Sequence, residues 1–568
     1  MTIQTIGERP QTANLEDPLY YLKNMDTVVS WVTVHHGDLL TSPERARLAH
    51  FAALPTAARG LLTRMIMRSG ELFRTDKLNY PELPQPLSLA LGELMDDGWL
   101  DSAPLLDLDQ LFRLMTLAEL RPGFAPVLAA AGAPAKLAKN RMREVVGERP
   151  AQPRTAQDWL GEGAPGIVRL LDMPLFDRVR LMFFGNLRQS WTDFVLVELG
   201  HQQYEQVPFS ADSRAFHERA DVDTYLQMDL CRQWLDQGIA ASEIWPEVPA
   251  PHDNPWLTSR RDRLLLELGR QAEREGDREL ALAALSASGH REARLKQLRL
   301  LERMKRHREA WEIAVAWQSA QLSDAEAQGL IRIFKRLAAR LGETPPRMAS
   351  PITIEAVTVT LDRPATGSVE HAVQQHLWQD DAPVYYVENT LITALFGLLC
   401  WQTIYAPVPG AFFHPFHVGP ADLNREDFVE RRTESFEKCF ASLGDGSYRE
   451  RIRENYRNKQ GITNPFVIWP AVSGEVLELA LACIPATDLE RLFRRLLRNI
   501  REHRSGFPDL IRFHPGRVVS DRHYEMIEVK GPGDRLQDHQ VRWLEFFAAE
   551  GIPASVCYVR WRDDGGSQ

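Results

Sequence analysis

A chain of 568 residues has room for several domains at roughly 150 residues each. Its 44% hydrophobic and 25% charged content belongs to folded globular proteins and excludes a disordered, fibrous or membrane-embedded chain. The formal net charge of −10 argues against a polyphosphate partner unless basic residues are gathered on one face. Cys231, Cys400, Cys439, Cys483 and Cys557 are scattered singly, with no CxxC pair, so a reducing cytoplasm is expected. The start, MTIQTIGERPQTANLEDP, has no secretory pattern, and the apolar run Leu391–Trp401 is shorter than the ~20 residues that span a bilayer. No membrane partner is expected.

Residues 1–19 read as a polar tail. Residues 20–150 read as a region of short helices. Ala57–Phe73 places Leu61, Leu62, Met65 and Ile66 on one helical face and Arg59, Arg64 and Arg68 on another. Leu87–Met95 is a second apolar segment, ending at Asp97-Gly98. Two short helices and a turn suit a winged-helix or helix-turn-helix module, with Arg64, Arg68 and Lys77 as candidate DNA contacts; a purely structural helical role is the competing reading. Further short helices follow, with breaks expected at Pro122-Gly123 and Gly132–Pro134, and the last helix is basic through Lys136, Lys139, Arg141 and Arg143.

Residues 151–257 read as a helical linker region, entered through the Pro-containing stretch Arg149–Pro153. Residues 258–345 differ: Leu264–Glu273, Glu279–Ser286, Glu292–Met304 and Arg308–Trp317 are short, amphipathic and Ala/Leu-rich, like tetratricopeptide-type helical pairs. Arg291–Arg308 holds eight basic and two acidic residues, either a solvated helical face or a phosphate-contacting surface. PITIEAVTVTL (351–361) alternates as a strand does, and 351–568 reads as one α/β unit.

The chemistry concentrates near the end. Asp509–Phe513 is a short strand, His514-Pro515-Gly516-Arg517 a turn, and Tyr524–Lys530 a second strand. Alternation puts Glu528 and Lys530 on one face, and pairing of the two strands brings Asp509 beside them. Gly531-Pro532-Gly533 ends the strand; a helix over Leu536–Ala549 and a strand over Ala554–Val559 follow. Pro-Asp, eighteen residues, then Glu-x-Lys supplies two hard oxygen ligands for Mg²⁺ or Mn²⁺ and one ammonium that offsets charge on a phosphate. A hairpin with an ordinary ion pair is the bland alternative. Glu388 is the only Asp, Glu, Lys or Arg between Ala382 and Ala421. It is either a third metal ligand or an exposed acid in a helix's first turn. His414 and His417 in HPFH read as structural histidines, because Pro415 spoils helical spacing and no cysteine partner is placed for zinc. No G-x-x-x-x-G-K-[ST] loop is present, so no nucleotide cofactor is expected.

PDL (508–510) with IEVKGPGDRLQDHQVRWL (527–544) closely resembles the VRR-NUC domain, a branch of the PD-(D/E)XK superfamily. VENTLITALFGLLCWQTIY, FHPFHVGPADL, YYL (20–22) and LFRTDKLNYPEL (72–83) resemble the Fanconi anaemia-associated nuclease family, so the likeness touches most of the chain. The resemblance implies a multidomain fold, with mostly α-helical N-terminal and middle regions that include a SAP-like module. A restriction-endonuclease-like α/β nuclease then follows, with its core at about 450–562. It further implies a bacterial, structure-selective DNase that cuts 5′ flaps and degrades 5′→3′ in interstrand crosslink repair. The protein would work on branched DNA at the nucleoid with two Mg²⁺ or Mn²⁺ ions per site. On this likeness Glu388, Asp509, Glu528 and the Val529 carbonyl hold metal, Lys530 is catalytic, and Gln540 orients the site. Arg501 and Arg535 match positions suited to phosphate contact, and His539 stands where some relatives carry a basic residue for a 5′-terminal phosphate. No ubiquitin-binding zinc finger spacing is present. A DNA-junction scaffold with a degenerate nuclease domain is the alternative function.

Overall fold

The computed structural model describes residues 17–134, 136–147, 152–189, 191, 203–317, 322–345, 353–364, 366–516 and 523–562. Most of the expected polar tail, Arg149–Ala151 of the expected linker, Pro351-Ile352 of the expected strand and Arg517 of the expected turn lie outside these residues. The described residues form two compact units: those within 17–191 together with 216–222, and those within 203–215 together with 223–562.

The first unit opens with α1 (Tyr20–His36), α2 (Ser42–Ala53) and α3 (Thr56–Ile66). Thr41 caps α2 in a reciprocal capping box with Glu44, and Pro55 stands directly before α3, so the sequence enforces a tight turn between the two helices. The expected helix over Ala57–Phe73 stops at Ile66. Gly70 takes φ +86° and the chain becomes β1 (Leu72–Arg74). After α4 (Leu87–Asp96) and β2 (Leu100–Asp101), the sheet is closed by β3 (Ile167–Leu170), which pairs antiparallel between β1 and β2. That strand lies in a stretch read from the sequence as helical; its burial pattern comes from its two partners, which are distant in sequence.

The expected break at Pro122-Gly123 lies inside α6 (Leu117–Ala130), after α5 (Leu108–Leu114). Tertiary packing overrides the local signal: a Cβ on Gly123 would sit 3.0 Å from the Trp159 carbonyl oxygen, so the glycine permits this close crossing. α5, α6, α7 (Lys139–Gly147) and α8 (Ala156–Leu160) share a core of Leu111, Phe112, Phe124 and Met142.

In the second unit α9 (Pro255–Glu275), α10 (Arg278–Ser286), α11 (Arg291–Arg303), α12 (His307–Trp317) and α13 (Asp324–Leu341) pack in succession as helical hairpins. A five-stranded sheet follows, in the order β4 (Glu355–Leu361), β8 (Ala554–Trp561), β7 (Tyr524–Lys530), β6 (Leu510–Phe513), β5 (Val384–Tyr386). β8 runs parallel to both neighbours; β6 is antiparallel to β5 and β7, with Leu510 opposite Ile527. Alternation divides the core. Val384, Leu510, Ile527 and Val529 face α14 (Val369–Leu377), while Ile511, Phe513 and Met526 join Trp543, Leu544 and Phe547 of α15 (Asp538–Glu550). Among the described residues no helix is long and apolar enough to cross a membrane.

Candidate active site

The strand pair β6–β7 builds the centre. Asp509 directly precedes β6, and its Oδ2 accepts the Val529 N–H at 2.8 Å. The Val529 N–H lies between Glu528 and Lys530, so this bond fixes Asp509 against the Glu-x-Lys strand. The Asp509 carbonyl accepts the Val387 N–H at 2.8 Å, which brings Glu388, the next residue, to the same end of the sheet. Asp509, Glu528 and Lys530 are 7%, 1% and 8% exposed. Lys530 Nζ lies 2.8 Å from Glu528 Oε1 as a charge-assisted pair, and among the described residues no neutral group donates to either Glu528 oxygen.

Burying carboxylates this way disfavours their charge. Asp509 is pushed up to about 6, first by burial and then by Glu388 and Glu370, against the Val529 N–H. Glu528 is pushed up to about 7 by burial and by Asp509, with Lys530 opposing. An ionised Glu528 in this position costs several kcal/mol unless a cation completes it. The donor set is hard oxygen, and its acids outnumber the one ammonium of Lys530, so these residues fit a hard divalent cation.

Glu388 is placed differently. It precedes α16 (Leu391–Leu399) rather than lying in its first turn. Its Oε2 accepts the Tyr386 hydroxyl and its Oε1 accepts Asn389 Nδ2 at 3.2 Å. Asn389 has φ +53°, a strained region for a non-glycine residue, and its Oδ1 accepts the Phe507 N–H at 3.1 Å. That bond ties the Glu388 loop to the segment leading into Asp509. Among the described residues no three His, Cys, Asp or Glu side chains close on one point tightly enough to hold an ion by themselves. The acids are therefore coupled through their fields, with Asp509 and Glu528 at the centre and Glu388 at the side.

Around them, Gly506 (φ +93°) admits the neighbouring helix: a Cβ there would meet the His539 carbonyl oxygen at 2.8 Å. His539 is half-buried, its imidazole pushed down by burial and then by Arg542 and Lys530. Gln540 bonds no acid. Its Oε1 accepts the Gln537 N–H at 2.9 Å, so its place is the cap of α15. Arg501 donates to His290 Nε2 at 3.3 Å and lies 3.6 Å from Glu292. Arg535 is exposed and makes no hydrogen bond or ion pair among the described residues.

Arg64, Arg68 and Lys77 belong to the other unit. Arg64 is occupied there, donating to Glu82 at 2.8 and 3.0 Å with its guanidinium 3.7 Å from the Tyr21 ring centre. Arg68 is exposed, 5.4 Å from the Tyr80 ring centre, and Lys77 is exposed. His414 and His417 are structural: each accepts a backbone N–H at 3.1 Å, and burial pushes both imidazoles down, His417 to about 4.

Three site residues were not singled out from the sequence. Glu370, in the first turn of α14, adds its charge to the field at Asp509 and Tyr386. Tyr386 and Asn389 hold Glu388. Tyr386 and Asn389 flank Glu388 in the sequence, which was a usable signal; Glu370 had none, because only the packing of α14 on β5 and β7 brings it there.

An antiparallel pair carrying Asp and Glu-x-Lys, followed by a helix and a parallel strand, defines a nuclease of the PD-(D/E)XK class, whose chemistry depends on a divalent metal. Residues 443–561 match the VRR-NUC domain, residues 19–101 the FAN1 HTH domain, and residues 105–159 the Fanconi anemia-associated nuclease SAP domain. The chain is 46% identical over 552 residues to the Fanconi-associated nuclease 1 homolog of Pseudomonas aeruginosa, covering 97% of each chain. It is 24% identical to the homolog of Oryza sativa, covering 95% of this chain and 62% of that one. Two crystal structures of paFAN1, bound to 2-nt and 1-nt 5′-flap DNA with gap, superpose with TM-scores of 0.89 and 0.88 at 45% identity, covering 96% of this chain and 99% of theirs. The chain belongs to the Fanconi-associated nuclease 1 family and is a DNA nuclease.

Proposed function

We propose that this nuclease cuts 5′-flap DNA near the junction and degrades 5′ ends in the 5′→3′ direction, in cytoplasmic repair of interstrand crosslinks at the nucleoid. The observation that carries the site assignment is Glu528: a fully buried carboxylate whose one partner among the described residues is the Lys530 ammonium, with Asp509 beside it on the same strand pair. The flap preference is supported by the flap-bound relatives of 45% identity.

In this reading Asp509, Glu528, the Val529 carbonyl and Glu388 hold two Mg²⁺ or Mn²⁺ ions. Such ions polarise the scissile phosphate and lower the pKa of an attacking water. Lys530 offsets charge growing on the phosphate oxygens, and its nearness to Glu528 keeps the ammonium pointed into the site. Asn389 and Tyr386 hold Glu388, and the α15 cap made with Gln540 fixes the wall behind the strands. Arg535, exposed and unpaired among the described residues, takes a DNA phosphate, as do Arg501 and His539. Arg68 and Lys77 do so from the winged-helix unit; Arg64, already paired with Glu82, is the weakest of that group. The products are a 5′-phosphate and a 3′-hydroxyl.

The domain bounds follow the same reading: 20–150 for DNA binding, 151–257 as connector, 258–345 as helical repeats and 351–568 as nuclease region. A labelled 5′-flap duplex incubated with the wild-type protein and Mn²⁺ or Mg²⁺ tests the proposal. Incision near the junction, abolished by chelator, is expected. Tight binding without incision under every metal condition would instead favour a non-catalytic junction scaffold.

A further inference from the structure

Tyr386 is 52% exposed although it closes a strand whose first residue, Val384, is fully buried and is followed at once by the buried Val387. Among the described residues no other ring stacks on it and no Arg or Lys covers its face. Its hydroxyl, by contrast, is anchored: it donates to Glu388 Oε2. An anchored tip with a bare face makes a ring that is fixed in direction and available on one side. The charges nearest to it are Glu388, Asp509 and Glu370, all acidic. These acids, with the cations they hold, serve the phosphate, which leaves the open ring for the uncharged π-face of a nucleobase, and aromatic platforms of this kind accept any base.

We propose that Tyr386 is a substrate-contacting residue: its ring stacks on the nucleobase next to the scissile phosphate, and its hydroxyl bond to Glu388 sets the ring at the distance the acids require. The inference rests on the nuclease reading above and adds a contact for the base to those for the phosphate. The hydroxyl positions Glu388; the ring holds the nucleotide. These two roles separate by substitution. Tyr386→Phe keeps the ring and loses the anchor, so turnover falls while KM for flap DNA stays near the wild-type value. Tyr386→Ala loses both, and KM rises roughly tenfold, within the span of base–aromatic stacking.

The test uses the full chain and a 5′-flap duplex with 2-aminopurine on either side of the mapped cut, bound with Ca²⁺ in place of the reactive metal. Fluorescence is expected to be lower in complexes of the wild type, Tyr386→Phe and Tyr386→Trp than in that of Tyr386→Ala. Trp378→Ala, which removes another exposed aromatic, should leave the wild-type signal unchanged. Melting curves check that the variants fold. Equal 2-aminopurine signals in the wild type and a folded Tyr386→Ala, with the wild type cutting the flap, overturn this proposal alone. A wild type that neither binds nor cuts the flap overturns the underlying reading, and this inference falls with it.

Discussion

The helical repeats and the nuclease sheet of the second unit handle charge in opposite ways. In the repeats basic residues meet acids. Arg294 lies 3.5 Å from Glu326, Arg306 reaches Glu309 at 2.7 Å, Arg308 reaches Glu343 at 2.7 Å and Arg336 reaches Glu302 at 2.7 Å, while Arg303 pairs with Glu273. With Arg291 paired to Glu426, five of the eight basic residues in Arg291–Arg308 are thus spent within the protein. In the sheet the reverse holds: Asp509 and Glu528 are buried, Asp509 adds its charge at Glu528, and among the described residues one N–H on Asp509 and one ammonium on Glu528 offset them. A third pattern is found between Ile404 and Glu430 of the nuclease region. Asp422 is 1% exposed but accepts both Arg432 nitrogens at 2.8 and 3.0 Å and Arg431 at 3.0 Å. Burial alone therefore does not mark function here. Burial with incomplete compensation does: both acids are still pushed up despite their partners, a cost that stability alone does not explain.

Substitutions should separate these patterns in order of size. Lys530→Ala removes the ammonium paired with Glu528, and flap cleavage should fall on the order of 10²–10³-fold with DNA binding retained. Cleavage within a few-fold of wild type would detach Lys530 from the chemistry. Asp422→Ala strands a buried Arg432 guanidinium, and chemical denaturation should report a loss of about 3–5 kcal/mol with cleavage per folded molecule unchanged.

The pH dependence is intermediate. Asp509 and Glu528 titrate at about 6 and 7 in the folded protein, above the ordinary carboxylate values. The stability they allow is full below about pH 4 and is lost as pH rises through the folded values. Without metal, Tm should decline between pH 5 and pH 8. Mn²⁺ binds the ionised carboxylates, so its stabilising effect should grow over the same range. A metal-free Tm that is flat or rising there would contradict the assignment. The smallest effect is expected in the repeats: Arg336→Ala should cost about 0.5–1 kcal/mol and leave cleavage untouched, since its pair with Glu302 is partly solvated.

Strands and helices with strong periodicity were legible before the structure. β7 is found at the expected Tyr524–Lys530, α15 starts two residues later than expected, and β8 extends two residues further. α9 begins at Pro255, ahead of the expected Leu264, because Asn254 and Pro255 form a helix start that apolar spacing does not register. Side-chain fates were less legible. Arg64 and Arg68 share a face by spacing, but only the fold brings Glu82 and Tyr21 to Arg64. The isolation of Glu388 in a chargeless stretch pointed to it, whereas its tether to Tyr386 and Asn389 depends on one left-handed residue. β3 was unreadable for the same reason: its partners lie far away in the chain.

The account turns on Asp509. Asp509→Asn keeps the size of the side chain and an oxygen for the Val529 N–H, so the strand pair should survive. Incision of a labelled 5′ flap by this variant at saturating Mn²⁺, measured beside its DNA affinity, is the most direct test. No detectable incision at wild-type affinity is predicted; incision at the wild-type rate would contradict the account.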